Sequence, residues 1–134
     1  MPVGRPLSLS VLPYELAICR LPPDATLPAW VDKAPFCSLT RTDEELSLVC
    51  PSYAIPPELP SDLLIERGWR ALKVAGPLDF SMTGVLASLA FPLAQADVSI
   101  FAISTYDTDY LLVRSDVLER AIQVLGESGH TVTR

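Results

Sequence analysis

The 134-residue sequence is short of the groups that most enzyme chemistry needs. It holds one histidine, His130, and so no imidazole pair for a metal or a proton relay. His130 also lies near the C-terminal end, where side chains are usually solvated and mobile. It reads as a surface residue and not as the base of a Ser–His–Asp arrangement. There is no phosphate-cradling glycine loop and no Cys–His motif. Cysteine is sparse and odd in number: Cys19, Cys37 and Cys50 lie mostly inside apolar runs. They read as buried reduced thiols, neither a disulfide frame nor a metal site. No enzyme, metal or cofactor is expected.

Positive charge is also scarce, with 10 Lys and Arg against 16 Asp and Glu, a net charge of -6. An acidic surface repels a duplex and an anionic bilayer, so no nucleic acid and no membrane are the expectation. No apolar run reaches the ~18 residues of a membrane span. The opening "MPVGRPLSLSVLPYELAI" has one Arg and is broken by serines and Pro13, so no signal peptide is expected and a cytoplasmic protein fits. With 49% hydrophobic and 19% charged residues, the balance is globular.

Proline is nearly absent from the second half: eleven of 13 prolines precede residue 61, and only Pro77 and Pro92 follow. The first half is therefore expected to hold strands and irregular links, and the second the long periodic segments. "ELAICRL" (15–21) reads as a strand. "PFCSLTR" and "LSLVC" read as a hairpin through "TDEE". "SDLLIERG" reads as a short helix ending at Gly68, and "WRALKVAG" (69–76) as the next strand. In "PLDFSMTGVLASLAFPLAQAD", Val85, Leu86, Leu89, Leu93 and Ala96 fall on one helical stripe. Pro92 inside that helix is expected to kink it or to free the Ser88 carbonyl. "VSIFAIST" and "DYLLVR" are strands across "YDTD". "SDVLERAIQVLGESG" is a helix with Ser115 as N-cap, and "HTVT" a last edge strand.

The second half thus reads βαββαβ, the ferredoxin-like plait of an antiparallel sheet with two helices on one face. Residues 36–50 and 100–114 match in pattern at an offset of 64, a faint internal duplication. The fold class is α+β, with two plait-like copies sharing a core.

Two stretches carry possible chemistry. In "STYDTDYLLV" (104–113), Asp107 and Asp109 are too few oxygen donors for calcium or magnesium. Asp107 reads as a turn residue bonding its own backbone. Asp109 enters an apolar strand, with Thr105 near it across the hairpin. In "GPLDFSMTGVL", Thr83 and Gly84 open a helix. Either Thr83 caps it, or its first N–H groups and partial positive charge receive a carboxylate. A free amino acid carries both charges. The end of the first strand and the start of the third are expected to meet only across a neighbouring copy or along a sheet edge.

Residues 68–113 carry "GW" before a strand, "G-P-L-x-F-x-x-T-G" into the helix, "PLAxA" within it, and "STYDTDYLLV". Together these resemble the ACT-domain family, in the subgroup of the CASTOR-type cytosolic arginine sensors and small stand-alone bacterial proteins. The resemblance implies a tandem ACT-like fold: a degenerate N-terminal half, 1–67, and a C-terminal ACT domain, 68–134. It implies ligand contacts at Asp79, Met82, Thr83, Gly84 and Val85 in the loop and at Thr105, Tyr106 and Asp109 in the hairpin. Met82 stands where those sensors have an acid. The sensors carry two tandem units with ligand between them, so this chain is expected to form a homodimer, with "VSIFAI" as the contact. The expected function is a non-enzymatic regulatory or sensor module binding a free amino acid at an ACT–ACT interface, with a regulated protein partner. The alternative is a dimerisation or docking protein without a small ligand.

Overall fold

The computed structural model describes residues 5–76 and 83–134. The strands are β1 (Ser8–Val11), β2 (Leu16–Leu21), β3 (Ser38–Arg41), β4 (Leu46–Pro51), β5 (Leu64–Val74), β6 (Phe101–Ser104), β7 (Asp109–Arg114) and β8 (Thr131–Thr133). The helices are α1 (Val85–Gln95) and α2 (Leu118–Glu127). The chain divides into two units, Tyr14–Trp69 and Arg70–Arg134, the latter also taking the chain up to Pro13. The sequence places residues 1–67 in one half. The difference lies in β1, which pairs with the Arg70–Val74 part of β5 and with β8.

In the Tyr14–Trp69 unit the strand order is β3-β4-β2-β5, antiparallel throughout. That is the order of a ferredoxin-like plait. Where a plait has helices, this unit has only 3-10 turns at Ala29–Val31 and Ser52–Ala54. Prolines at 22, 23, 28 and 35, and at 51, 56, 57 and 60, leave no helical run between the strands. The core is Ala17, Cys19, Leu21, Leu46, Leu48 and Cys50 from the strands, with Val31, Ile55 and Leu63 against them.

The short helix expected at 61–68 is strand from Leu64 onward. Leu63 and Ile65 turn inward while Leu64 and Glu66 are exposed, a period of two. Gly68, taken as a helix end, is instead at a bulge. Leu16 pairs with Trp69 and Ile18 with Glu66, so β5 has one residue more than β2 there. Gly68 absorbs it at φ +85°, where a side chain is strained.

In the Arg70–Arg134 unit the order is β6-β7-β5-β1-β8. Without β1 this is again the plait. β1 is wedged between β5, antiparallel to it, and β8, parallel to it. Both helices contribute to one core with Leu9, Leu72, Val74, Leu111 and Val113, α1 through Leu89 and Leu93 and α2 through Ala121 and Leu125. α2 follows a 3-10 turn at Ser115–Val117, so its cap is Val117 and not Ser115.

Pro92 lies inside α1 and has no N–H for the Ser88 carbonyl four residues back. His130 replaces it. Its Nε2 lies 3.2 Å from the Ser88 oxygen, and its Nδ1 accepts the Leu7 N–H at 3.1 Å. Because Nδ1 accepts, the proton sits on Nε2, which donates to the carbonyl. His130 is 6% exposed, so the expectation of a solvated terminal residue is wrong. The reason is that β8 is tied down beside β1, with the Thr131 N–H donating to the Leu7 oxygen at 2.9 Å.

We expect His130→Ala to cost about 2–4 kcal/mol, since it strips two buried backbone groups of a partner and leaves a cavity. In a Pro92→Ala background residue 92 gains an N–H for Ser88, so the same change should cost about 1 kcal/mol less. Urea unfolding of the four variants measures this coupling; equal costs in both backgrounds would refute it.

Candidate functional site

The candidate site lies where β5 ends and the β6–β7 hairpin turns. β5 and β7 are neighbours in one sheet. The Thr108 hydroxyl donates to the Val74 carbonyl at 2.6 Å, and Thr108 is buried. The end of the first strand and the start of the third therefore meet within one unit. The expectation that they meet only across a neighbouring copy or along a sheet edge is corrected: the third strand of a plait lies directly beside the first.

The hairpin loop is organised by threonine. The Thr105 N–H donates to the Thr108 carbonyl at 2.8 Å, and its hydroxyl donates to the same oxygen at 3.1 Å. The Thr105 hydroxyl also accepts the Thr108 N–H at 3.3 Å. The turn-shaping role read onto Asp107 thus falls to Thr105, and Asp107 is exposed. Tyr106 is 81% exposed at the tip.

Asp109 is half-buried at the start of β7. Alternation puts it on the same face as Leu111 and Val113, which pack into the helix-covered core. Its partner is not Thr105. Ser104, directly opposite in the ladder, donates to Asp109 Oδ1 at 2.6 Å. Thr105 was assigned to Asp109 by sequence proximity, but the ladder register gives that place to Ser104.

α1 runs back along the sheet, so it opens at the end where β5 stops. Its N-cap is Gly84, at φ 78°, a left-handed conformation that suits glycine. Gly84 has no side chain with which to cap the helix, and Thr83 is exposed. The first intrahelical bond runs from the Ser88 N–H to the Gly84 carbonyl at 2.9 Å. The N–H groups of the first turn, Val85 among them, have no carbonyl within the helix to bond. They form a partial positive end. Asp79 and Met82 lie outside the described residues. Of the expected contacts, Thr83, Gly84 and Val85 form the helix opening, and Thr105, Tyr106 and Asp109 form the hairpin. Thr108 was missed. The signal for it is a β-branched hydroxyl residue immediately before an inward-turning strand.

The thiols are elsewhere. Cys19 and Cys50 are buried in the Tyr14–Trp69 unit, while Cys37 is exposed, against expectation, on the residue preceding the edge strand β3. The Cys19 and Cys50 thiols interact with one another, which raises the Cys50 pKa and lowers that of Cys19. Burial, with Asp32 nearby, raises that of Cys37. Among the described residues no three His, Cys, Asp or Glu side chains are grouped as a metal site would require. Nor is any described helix long and apolar enough to cross a membrane.

A model of the ACT domain matches residues 64–127. The chain belongs to the ACT-domain family. A second family model, of an N-terminal domain, matches residues 14–58. The human cytosolic arginine sensor for mTORC1 subunit 1 is 41% identical over 73 residues, 51% of this chain and 22% of that protein. The human putative protein CASTOR3P is 36% identical over 88 residues, 58% of this chain and 53% of that protein. This ACT-family chain thus spans 22% of the length of the curated sensor it matches. A crystal structure from Agobacterium tumefaciens superposes with a TM-score of 0.86 at 39% identity, covering 96% of this chain and 93% of that one. An aspartate kinase of Clostridium acetobutylicum shares the fold, with a TM-score of 0.73 at 10% identity, over 95% of this chain and 36% of that one.

Thr108→Val keeps the shape and removes the hydroxyl that ties the hairpin to β5. We expect a loss of about 1–2 kcal/mol. Amide hydrogen exchange at residues 104–109 should quicken more than exchange in α2. Unchanged exchange in the hairpin would show that Thr108 does not anchor it.

Proposed function

We propose that this chain is a non-enzymatic regulatory module of the cytoplasm that binds a free amino acid at an ACT–ACT interface in a homodimer, and that it passes the signal to a protein partner. The observation that carries this is the pairing of opposite charges at one end of one sheet. The Asp109 carboxylate faces the helix side, held by Ser104. The opening of α1 at Gly84, an N-cap without a side chain, offers backbone donors to an anion. An amino acid with a cationic side chain or its own ammonium group satisfies both. The sensor relative is named for arginine, which makes arginine the first ligand to test. In this reading Asp109 takes the cationic group. Thr83, Gly84 and Val85 take the carboxylate, Thr105 and Tyr106 close over the ligand, and Asp79 and Met82 are further contacts that the family resemblance implies. The chain is read as a degenerate ACT-like half, 1–67, followed by an ACT domain, 68–134.

A thermal-shift screen of the twenty amino acids tests the proposal. A ligand at 100 times its dissociation constant adds ~2.7 kcal/mol of stability. Asp109→Ala should weaken that ligand roughly ten- to a hundredfold, because a charge-assisted contact is worth ~1.5–3 kcal/mol. For a cationic side chain, Asp109→Asn should lose almost as much as Ala; for a ligand held by its ammonium group, Asn should keep part of the affinity. Calorimetry on the two variants separates these. No shift with any amino acid would leave a docking module without a small ligand.

A further inference from the structure

We propose that Cys37 and Cys50 are the two ends of a redox-responsive disulfide across β3 and β4, formed by exchange with a low-molecular-weight disulfide such as oxidised glutathione. The site lies in the Tyr14–Trp69 unit and is independent of the amino-acid reading above.

The strand register carries the inference. β3 pairs with β4 at Ser38–Val49, Leu39–Leu48, Thr40–Ser47 and Arg41–Leu46. One step further along the same ladder, Cys37 stands opposite Cys50. Residues directly opposite on antiparallel strands point to the same face, with Cα atoms about 4.5–5.5 Å apart. A disulfide spans ~4.4–6.8 Å between Cα atoms, so this pair is placed to close. Cys19 is set differently. It stands opposite Leu48 on β4, while Cys50 stands opposite Ala17 on β2. Cys19 and Cys50 are thus diagonal neighbours, whose Cα atoms in a regular ladder are roughly 7–8 Å apart, beyond that span. The two buried thiols interact, but the exposed one is placed to bridge.

Access fixes the order of the steps. Cys50 is fully buried and Cys19 nearly so, whereas Cys37 is exposed. Glutathione therefore meets Cys37 first. The Cys37 sulfur attacks one sulfur of oxidised glutathione and forms a mixed disulfide, and one reduced glutathione leaves with the Cys37 proton. The Cys50 sulfur then attacks the Cys37 sulfur, and the second reduced glutathione leaves with the Cys50 proton. Two protein thiols become one disulfide, and one oxidised glutathione becomes two reduced ones. Burial, with Asp32 nearby, raises the Cys37 pKa; the interaction with Cys19, with burial, raises that of Cys50. Both thiols are protonated at neutral pH, so the exchange is slow there and quickens as pH rises. The product closes the open end of an edge strand. β3 has four residues, three of them exposed. Thr42 already fastens its turn end, where the hydroxyl accepts the Glu44 and Glu45 N–H groups.

Non-reducing peptide mapping after incubation with oxidised glutathione at mildly alkaline pH tests this, on the wild type, Cys19→Ser, Cys37→Ser and Cys50→Ala. The expected result is a Cys37–Cys50 link in the wild type and in Cys19→Ser, undone by dithiothreitol. Cys50→Ala should stop at a lasting mixed disulfide on Cys37, and Cys37→Ser should take up neither glutathione nor a bridge. Amide hydrogen exchange in β3 should slow severalfold on oxidation of the wild type and not at all in Cys37→Ser. A wild type that keeps the mixed disulfide, that links Cys19 to Cys50, or that stays reduced overturns the proposal. The wild-type map needs no variant, so a Cys50→Ala chain that fails to fold leaves the test intact. None of these outcomes bears on the amino-acid screen.

Discussion

Pro92 withdraws one N–H from α1, and the Arg70–Arg134 unit is organised around the group that replaces it. His130 reaches from the start of β8 to the orphaned Ser88 carbonyl and, with its other nitrogen, takes the Leu7 N–H just before β1. Three segments far apart in sequence are thereby joined by one ring. A buried backbone group without a partner costs about as much as a lost hydrogen bond, so the three are held together or lost together. The strand this secures, β1, is the one a plain plait lacks. It separates β5 from β8, which would otherwise be neighbours. The same ring fixes α1 along its length, and so fixes where Gly84 presents the first-turn donors.

The two units follow one strand order but only one has the equipment of a site. Their hairpins are alike in length, with strands of four and six residues in each. Each loop opens with a threonine, Thr42 or Thr105, whose N–H bonds the carbonyl three residues on. The correspondence is 63 residues, one fewer than the sequence pattern suggests, because the turn and not the apolar run sets the register. In that register Asp109 corresponds to Leu46, fully buried in its own core, and the buried Thr108 to the half-buried Glu45. The first hairpin has no carboxylate to offer on that face, and its unit has no helix N-terminus to set against it.

How much of this was legible follows from the range of each interaction. The strands β2, β3, β4, β6 and β7 and the helix α1 rest on local periodicity and were read from it. Residues 61–68 were misread because a helix end and a bulge both call for a glycine at positive φ, and only the pairing partner on β2 distinguishes them. The freed Ser88 carbonyl was foreseen from Pro92, but not the ring that satisfies it. His130 is 42 residues from Ser88 and 123 from Leu7, and no local signal links them. Asp109 was singled out correctly as a carboxylate entering an apolar strand, yet its partner was misassigned. Proximity in sequence favours Thr105, whereas the antiparallel register pairs Asp109 with Ser104.

The hairpin side of the candidate site is exposed at its tip. The tip of the hairpin is exposed at Thr105, Tyr106 and Asp107, and its loop is closed mainly by bonds within itself. The Thr108 hydroxyl moors it to β5. α1, by contrast, is pinned at Ser88 by His130 and capped at its far end, where Arg120 donates to the Ala96 carbonyl. A regulatory module needs one element rigid enough to define a ligand's place and another that a small molecule's binding energy can reorder. A ligand held between Asp109 and the first turn of α1 would bridge the exposed hairpin to the pinned helix. Binding there would add a mooring to that of Thr108 on β5. The order it imposed would pass along β7 into the core through Leu111 and Val113, the residues that share the face of Asp109.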